Sequence, residues 1–342
     1  MLRILFVGCG NISNAWLSAL IKRNDVDICG VVDLNRDAAE KKASDFGLKC
    51  PVFTDVSTAI DAVKPDAAVD NIIPSGRLEL AKTCMKAGLH VLSEKPLADS
   101  IENAKKIIML SDRYEKNFFV MQNRRYNTSM FSFRNAIKSG RLGEAAYLGA
   151  EFFRDPHFGG FREKMDSPLL VDMAIHTFDQ ARFLLGSDPV SVHCLEYNPG
   201  WSWYSGAASA ICTFKFEGNA VFHYTGSWCA PGMNTSWDSS WRFIGSTGTC
   251  IWDGMGLPKA EAIIKHENND RPLETSKVEI YKTDCIPGGH ESCINEMING
   301  LHSGIRPQTD CRDNIKSLAM VFAAIRSSSE KREVFINEIL EV

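Results

Sequence analysis

Three side chains from two separate stretches of the sequence could together move a proton and stabilise a charged oxygen. Asp172 and His176 stand four residues apart in a helical pattern, so the carboxylate is expected beside the imidazole, where it would fix the tautomer. An imidazole, whose ordinary pKa is about 6.5, can accept the proton of an alcohol during hydride transfer. Lys95, whose direction is fixed by the following Pro96, could stabilise the developing alkoxide. These residue types predict a dehydrogenase site.

Each of these residues also has an ordinary structural explanation. An Asp–His pair at this spacing is often a helix-surface interaction that contributes only about 0.2–0.5 kcal/mol. Lys95 by itself could be a surface lysine in the stretch "VLSEKPLAD". The catalytic interpretation therefore depends on a second feature, a binding site for a nicotinamide nucleotide that exchanges the hydride.

A glycine turn near the N-terminus predicts such a site. Gly8 and Gly10 lie where an apolar strand pattern gives way to a helical one. Glycine lets a diphosphate approach the backbone, and the helix start at Asn11 and Ile12 offers N–H groups and the positive end of the helix dipole. Dinucleotide-binding turns usually have the pattern Gly-x-Gly-x-x-Gly, and Ser13 stands at the third glycine position. The change is tolerable because that glycine mainly serves close packing of helix against strand. The alternative is a tight turn that binds no ligand.

An acidic residue about twenty residues further on favours the nucleotide site. Asp33 ends the second strand pattern, where a carboxylate can accept hydrogen bonds from a ribose and repel a 2′-phosphate. NAD is therefore favoured over NADP, although Arg36 could soften that preference. The alternative role for Asp33 is to cap the next helix. Glu94 and Lys95 follow the fifth strand, at the sheet edge where such ligands bind, so they are also candidate cofactor contacts.

The elements that must carry these residues fall into two classes. Up to residue 121, strand patterns alternate with helical ones, which predicts a doubly wound parallel sheet, the Rossmann arrangement. From Ala145 onward, short runs rich in β-branched and aromatic residues predict a large, mostly antiparallel open sheet. Helices are predicted over Leu169–Leu185, His290–Ser303 and Arg312–Glu330.

We therefore predict two domains. An α/β Rossmann domain that binds the dinucleotide is expected at residues 1–121. An α+β domain for substrate binding and oligomerisation is expected at residues 122–342, and its C-terminal helices could pack back on the first domain.

Several other residues are candidates for substrate contacts. Arg124 follows the sixth strand pattern and could reach a substrate hydroxyl or carboxylate, although surface pairing explains it equally well. Tyr126 is a weaker candidate of the same kind. His157 and Arg162 flank a Gly-Gly loop that could overhang the site. Trp201 or Trp203 could stack on a substrate ring, but packing in the core or between subunits is the commoner role of a tryptophan.

Long stretches of the sequence resemble the Gfo/Idh/MocA oxidoreductases, the group of glucose–fructose oxidoreductase and inositol dehydrogenase. The resemblance spans nearly the whole chain and rests on the glycine turn, "AGLHVLSEKPLA", "RRYNTSMFSFRNAIKSGRLGE", "LLVDMAIHTFDQARFLLG" and "DNIKSLAMVFAAIRSS". It implies a Rossmann domain and a second domain whose sheet makes dimers or tetramers. The implied activity is an NAD(P)-dependent dehydrogenase or reductase for sugars, polyols or their derivatives.

The resemblance also implies roles for individual residues. Lys95, Asp172 and His176 match the active-site lysine, the aspartate and the proton-transfer histidine, while the glycine turn and Asp33 match cofactor contacts. In such enzymes the nicotinamide lies between the Glu-Lys-Pro tripeptide and the histidine helix, and the peptide bond before the proline is often cis. The chain departs from the family in "IIPSGRLEL", which replaces Thr-Pro and a histidine. Pro74 could still line the cofactor through its backbone.

Composition excludes several classes of protein. The chain has 342 residues, 44% hydrophobic and 23% charged, with a net charge of -4. No basic run indicates nucleic acid as a partner, and no apolar stretch reaches the roughly 18 residues that a membrane span needs. The 11 cysteines show no metal-ligand spacing, so no metal site is predicted. Scattered cysteines in apolar stretches, such as Cys29, Cys84 and Cys212, predict free buried thiols. Free thiols are typical of a reducing compartment, so a cytoplasmic protein is predicted.

Two other functions stay open at this point. The same fold could serve a non-catalytic co-regulator that senses a nucleotide or a sugar, although such a protein would be expected to lose the lysine or the histidine. A dehydrogenase of the same architecture could also act on a non-sugar, such as an aromatic diol.

Overall fold

Residues 1–264, 274–283 and 288–341 are described by a computed structural model. The strands, in chain order, are β1 (Leu2–Val7), β2 (Val26–Val32), β3 (Val52–Phe53), β4 (Ala67–Asp70), β5 (His90–Ser93), β6 (Phe118–Val120), β7 (Ala145–Phe153), β8 (Pro189–Tyr197), β9 (Ser209–Phe216), β10 (Val221–Ser227), β11 (Ser240–Gly245), β12 (Gly248–Trp252), β13 (Lys259–Ile263), β14 (Thr275–Val278) and β15 (Val334–Phe335). The helices are α1 (Ser13–Leu20), α2 (Arg36–Asp45), α3 (Val56–Val63), α4 (Arg77–Lys86), α5 (Ile101–Arg113), α6 (Thr128–Lys138), α7 (Ile175–Leu185), α8 (Gly289–Ser303), α9 (Cys311–Glu330) and α10 (Asn337–Leu340).

The apolar runs of the N-terminal stretch form a parallel sheet of six strands. Its order is β3-β2-β1-β4-β5-β6, which is the order of doubly wound dinucleotide-binding sheets. β1 is buried because it has a parallel neighbour on each side, and its Ile4, Leu5 and Phe6 are fully buried. Side chains of Asn35 and Asp55 accept hydrogen bonds from the first turns of α2 and α3, which explains where these helices begin.

The second sheet has nine strands in the order β14-β13-β12-β11-β7-β10-β9-β8-β15. β7 and β10 pair in parallel, and the other neighbours pair antiparallel. Alternation along β9 buries Cys212, Phe214 and Phe216 and leaves Thr213 and Lys215 on the outward face. The predicted fold class, a Rossmann domain with a large, mostly antiparallel second sheet, is confirmed.

The described residues divide into two compact units. The first comprises Met1–Asn123 and the described residues of Pro287–Ile315. The second comprises Lys316–Val342, without its last residue, and the described residues of Arg124–Ile286. The division into domains at residues 1–121 and 122–342 stays a proposal. α8, from the C-terminal part of the chain, belongs to the first unit.

The structure differs from the predicted elements at several places. The helix expected over Leu169–Leu185 begins with a π-helical turn, Leu169–Ala174, before α7 starts. β3 and β15 have two residues each, too few to show a period, and they were not predicted. α3, α6, α10 and β12 to β14 were not predicted either.

The cysteines form no disulfide bonds within the described residues. The ten cysteines in the described residues are free, and Cys29, Cys84 and Cys212 are buried, as predicted. Within the same residues no helix combines the length and the apolarity that crossing a bilayer requires.

Candidate active site

The glycine turn after β1 contains one glycine that packing requires and one that faces open space. Gly8 has a φ of +93°, and a Cβ there would lie 2.7 Å from the carbonyl carbon of Asn71, just after β4. Only glycine allows this approach. At Gly10, no atom of the described residues lies within 4 Å of the Cβ position. The surface above Gly10 is therefore accessible to a ligand.

Backbone donors lie at this open surface. Asn11 and Ile12 are exposed, and their N–H groups have no acceptor among the residues that the structure describes. α1 starts directly afterwards at Ser13, whose hydroxyl donates to the carbonyl of Gly10 at 2.5 Å. Unsatisfied N–H groups at a helix N-terminus bind anions, so the turn fits the diphosphate of a dinucleotide.

Asp33, the residue after β2, is held beside this turn. Its Oδ2 accepts a hydrogen bond from the backbone of Cys9 at 2.8 Å, and its Oδ1 accepts one from the backbone of Asn35 at 2.9 Å. Asn35 caps α2, so the alternative capping role for Asp33 is wrong. Arg36 forms an exposed ion pair with Glu40 at 2.7 Å. The cofactor contacts of Asp33 and Arg36 stay predictions.

A buried ion pair connects the loop after β4 to the tripeptide after β5. Arg77 Nε donates to Asp70 Oδ2 at 2.9 Å, and both side chains are fully buried. The same guanidinium donates to the carbonyl of Ile72 at 3.0 Å and to the carbonyl of Pro96. Arg77 therefore fixes two backbone segments at the carboxyl edge of the sheet. The pair was not predicted, because no local pattern shows that both side chains turn inward.

The Glu-Lys-Pro tripeptide is also held by its own glutamate. Glu94 is 8% exposed, and its carboxylate accepts hydrogen bonds from the indole of Trp16 at 2.9 Å and from the backbone of Lys95 at 3.0 Å. The Lys95–Pro96 peptide bond is cis, as the resemblance implies. Lys95 itself is half-buried, and Pro74 starts a short 3-10 turn at the same edge of the sheet. Lys95 thus follows β5 at the sheet edge where ligands of such sheets bind, and its contacts with cofactor and substrate stay predictions.

In the second unit, the predicted acid–base pair lies at a change of helix type. Asp172 is in the π-helical turn, and His176, which is 6% exposed, is in the first turn of α7. Asp172 Oδ2 accepts a hydrogen bond from Arg162 Nε at 2.6 Å, and that guanidinium lies 4.8 Å from the ring centroid of Phe161. The structure therefore brings Arg162 to Asp172, while its predicted contact with a substrate stays a prediction.

The other predicted substrate contacts lie in the same unit. Arg124 Nη2 lies 3.7 Å from the sulfur of Met173, and the Arg124 carbonyl accepts a hydrogen bond from Gln180 at 3.2 Å. Burial lowers the pKa of Arg124 to about 10. The ring of His157 stacks on Trp203, with the ring centroids 3.6 Å apart. Arg124 is thus attached to the helical segment that carries His176, and His157 packs against an indole.

Both halves of the chain match models of one protein family. Residues 2–122 match the model described as an oxidoreductase family with an NAD-binding Rossmann fold, and residues 132–251 match the GFO/IDH/MocA C-terminal domain. The chain belongs to the Gfo/Idh/MocA oxidoreductase family. The predicted family, the enzyme class and the NAD cofactor are therefore confirmed for this Gfo/Idh/MocA protein.

Individual proteins resemble this Gfo/Idh/MocA chain at lower identity. Inositol 2-dehydrogenase of Rhizobium meliloti is 26% identical, over 98% of this chain and 99% of the relative. D-glucoside 3-dehydrogenase of Escherichia coli is 28% identical over 54% of each chain. An oxidoreductase from Agrobacterium radiobacter, solved with NAD+, L-tartaric acid and magnesium, has a TM-score of 0.85 at 19% identity and covers 99% of each chain. The last comparison shows a shared fold.

Proposed function

We propose that this Gfo/Idh/MocA oxidoreductase transfers a hydride between a nicotinamide nucleotide and a hydroxyl-bearing carbon of a sugar, a polyol or a sugar derivative. The names of the inositol and glucoside dehydrogenases support this substrate class. The observation that carries the proposal is the π-helical turn with Asp172 directly before the buried His176, because π-helical turns inside helices are frequent at functional sites.

The chain's own residues supply acid–base chemistry. In the oxidative direction His176 takes the hydroxyl proton while the carbon loses its hydride, so that the alcohol becomes a carbonyl. Asp172 orients the imidazole, and Lys95 donates a hydrogen bond to the oxygen as negative charge develops there. In the reductive direction His176 returns the proton. Arg124, His157 and Arg162 are proposed to contact the substrate's other polar groups.

The first unit has the residues needed to hold the dinucleotide. When bound, the cofactor supplies the ring carbon that accepts or returns the hydride. The N–H groups of Asn11 and Ile12 bind the diphosphate, and Asp33 accepts from a ribose hydroxyl, which favours NAD over NADP. Further contacts are proposed for Gly8, Gly10, Arg36, Pro74, Glu94 and Lys95.

The test is a panel of sugars, polyols and aromatic diols with NAD+ and NADP+, monitored by the nicotinamide absorbance near 340 nm. On the best substrate, His176→Ala and Lys95→Ala should each lower turnover by roughly a hundredfold or more, the usual contribution of acid–base help. His302→Ala and Lys41→Ala are matched controls, because both residues lie on the surface in ion pairs within the first unit. The controls should retain wild-type rates.

Two results would contradict this proposal. Near-normal turnover in both His176→Ala and Lys95→Ala would remove the assigned chemistry. Nucleotide binding without turnover of any compound would favour the non-catalytic sensor, and turnover confined to diols would favour the non-sugar dehydrogenase.

We also propose that the protein is a homodimer or homotetramer that associates through the outward face of the second sheet. Tyr147, His223, Arg242 and Ile251 of β7, β10, β11 and β12 line a depression of about 460 Å³ on this face. Ile251 is 39% exposed, and Ile244 of β11 is 38% exposed. Exposed apolar side chains on a sheet face support burial against a second copy.

A further inference from the structure

Two arginines of the second unit lie against one tryptophan and form no ion pair. The Cζ atom of Arg154 lies 4.5 Å from the ring centroid of Trp237, and that of Arg124 lies 5.7 Å from it. Among the residues that the structure describes, no carboxylate oxygen lies within 4.0 Å of either guanidinium. Two cations therefore share one indole without a direct counter-charge.

Both guanidinium groups have unused hydrogen-bond donors. Arg124 Nη1 and Arg154 Nε are buried atoms that have no acceptor in the described part of the chain. Arg124 Nη2 reaches only the thioether of Met173, which is a weak acceptor, and Arg154 Nη1 donates to the carbonyl of Thr235 at 2.9 Å. A buried donor without an acceptor is destabilising, because it has lost its hydrogen bonds to water. An anionic ligand that supplies acceptor oxygens would remove this cost.

The surrounding charges leave an excess of one cation. The ionisable groups that act on Arg124 are Asp238, Tyr224, Asp172 and Arg154, and Asp172 is already paired with Arg162. Burial raises the pKa of Tyr224, so its hydroxyl adds no charge. Three guanidinium groups thus stand against two carboxylates. Burial raises the pKa of Asp238, while the charge of Arg124 and a hydrogen bond from Asn127 act in the opposite direction. The excess of one charge matches a monoanion such as a carboxylate better than the dianion of a phosphate monoester.

The position of Arg124 places this charge beside the proposed acid–base residues. Its side chain contacts Met173, three residues before His176, and its carbonyl is bonded to Gln180, four residues after it. An anion bound by Arg124 therefore lies along the same helical segment as His176. We infer that Arg124 and Arg154 bind the carboxylate of the substrate, so that the substrate class is a sugar acid, either a uronic or an aldonic acid. This inference rests on the proposed function.

The experiment compares neutral sugars with their acids at equal concentrations: D-glucose with D-glucuronate, D-galactose with D-galacturonate, and D-glucitol with D-gluconate. The best acid should exceed its neutral counterpart in kcat/KM by about tenfold or more, as expected for a charge-assisted hydrogen bond. Arg124→Gln and Arg154→Gln should bring this ratio close to one, mainly by raising KM for the acid. Arg124→Lys should retain part of the preference.

Arg113→Gln is the matched control, since Arg113 lies exposed at the end of α5 in the first unit and should leave the ratio unchanged. Calorimetric titration of D-glucuronate and D-gluconate into wild type and Arg154→Gln, both loaded with NADH, measures binding without turnover. Circular dichroism establishes that each variant is folded. The acid should bind wild type at least about tenfold more tightly than the variant.

The outcomes separate the two proposals. Turnover of neutral sugars without a preference for acids overturns the inference and leaves the proposed function intact. Preference for D-glucose 6-phosphate over every carboxylate also overturns it. If no compound is turned over, the titration still decides: Arg154-dependent binding of an acid supports the inference, and its absence overturns it.

Discussion

Single residues fix the carboxyl edge of the first sheet, and Arg77 does so most directly. It is the first residue of α4, yet its guanidinium is buried with Asp70, the last residue of β4. Because it also binds the carbonyls of Ile72 and Pro96, it holds the segment next to Lys95. A buried charge of this kind is stable only while its partner is present.

This pair predicts a non-additive effect on stability. Arg77→Met leaves the carboxylate of Asp70 buried without its cation, so the free energy of unfolding should fall by about 3–5 kcal/mol. Adding Asp70→Asn removes the uncompensated charge and should restore part of that loss. Urea denaturation of the two single variants and the double variant measures the coupling. Additive losses in the double variant would show that the pair is not the source of the effect.

Between neighbouring elements, a histidine connects β5 to the segment before β6. His90 Nδ1 accepts a hydrogen bond from the backbone of Asn117 at 3.0 Å. Burial, and secondarily the charge of Lys116, lowers the pKa of His90 to about 4, with Asp66 acting in the opposite direction. Since the unfolded pKa is about 6.5, the folded state resists protonation of this ring.

The sign of this shift predicts lower stability in acid. The contribution of neutral His90 to the free energy of unfolding is fully present above pH about 6.5. It is lost as the pH falls toward the pKa of His90 in the folded state. Between pH 7 and pH 5, the free energy of unfolding of wild type should fall by on the order of 1 kcal/mol more than that of His90→Gln, because the glutamine side chain does not titrate. Urea unfolding at several pH values compares the two proteins. Parallel pH profiles would exclude His90 as the titrating group.

For the whole molecule, the outward face of the second sheet determines the expected assembly. Light scattering after gel filtration should give the mass of a dimer or a tetramer. Ile251→Asp places a charge within the proposed interface and should shift the protein toward the monomer, because burying an unpaired carboxylate is costly. Met109→Asp is the control, since Met109 is 68% exposed on α5 and belongs to the first unit. A monomeric wild type, or an unchanged mass for Ile251→Asp, would reject this interface.

The sequence by itself determined the alternation of elements, the class of each sheet and the glycine turn. These features follow from local spacing: a buried run predicts β1, a helical period predicts α9, and glycine at Gly8 marks a backbone that other residues avoid. It also indicated the family, through stretches distributed over both halves of the chain. β3 and β15 could not be predicted, because two residues are too few to show the alternation of apolar and polar residues that marks a strand.

Only the tertiary structure decided the partners of the charged side chains. Arg162 reaches Asp172 from a preceding turn, and Arg124 and Arg154 meet at Trp237, which lies far along the chain. Local patterns do not specify such contacts, because packing between distant segments determines which charges are buried together and which are left without a counter-charge.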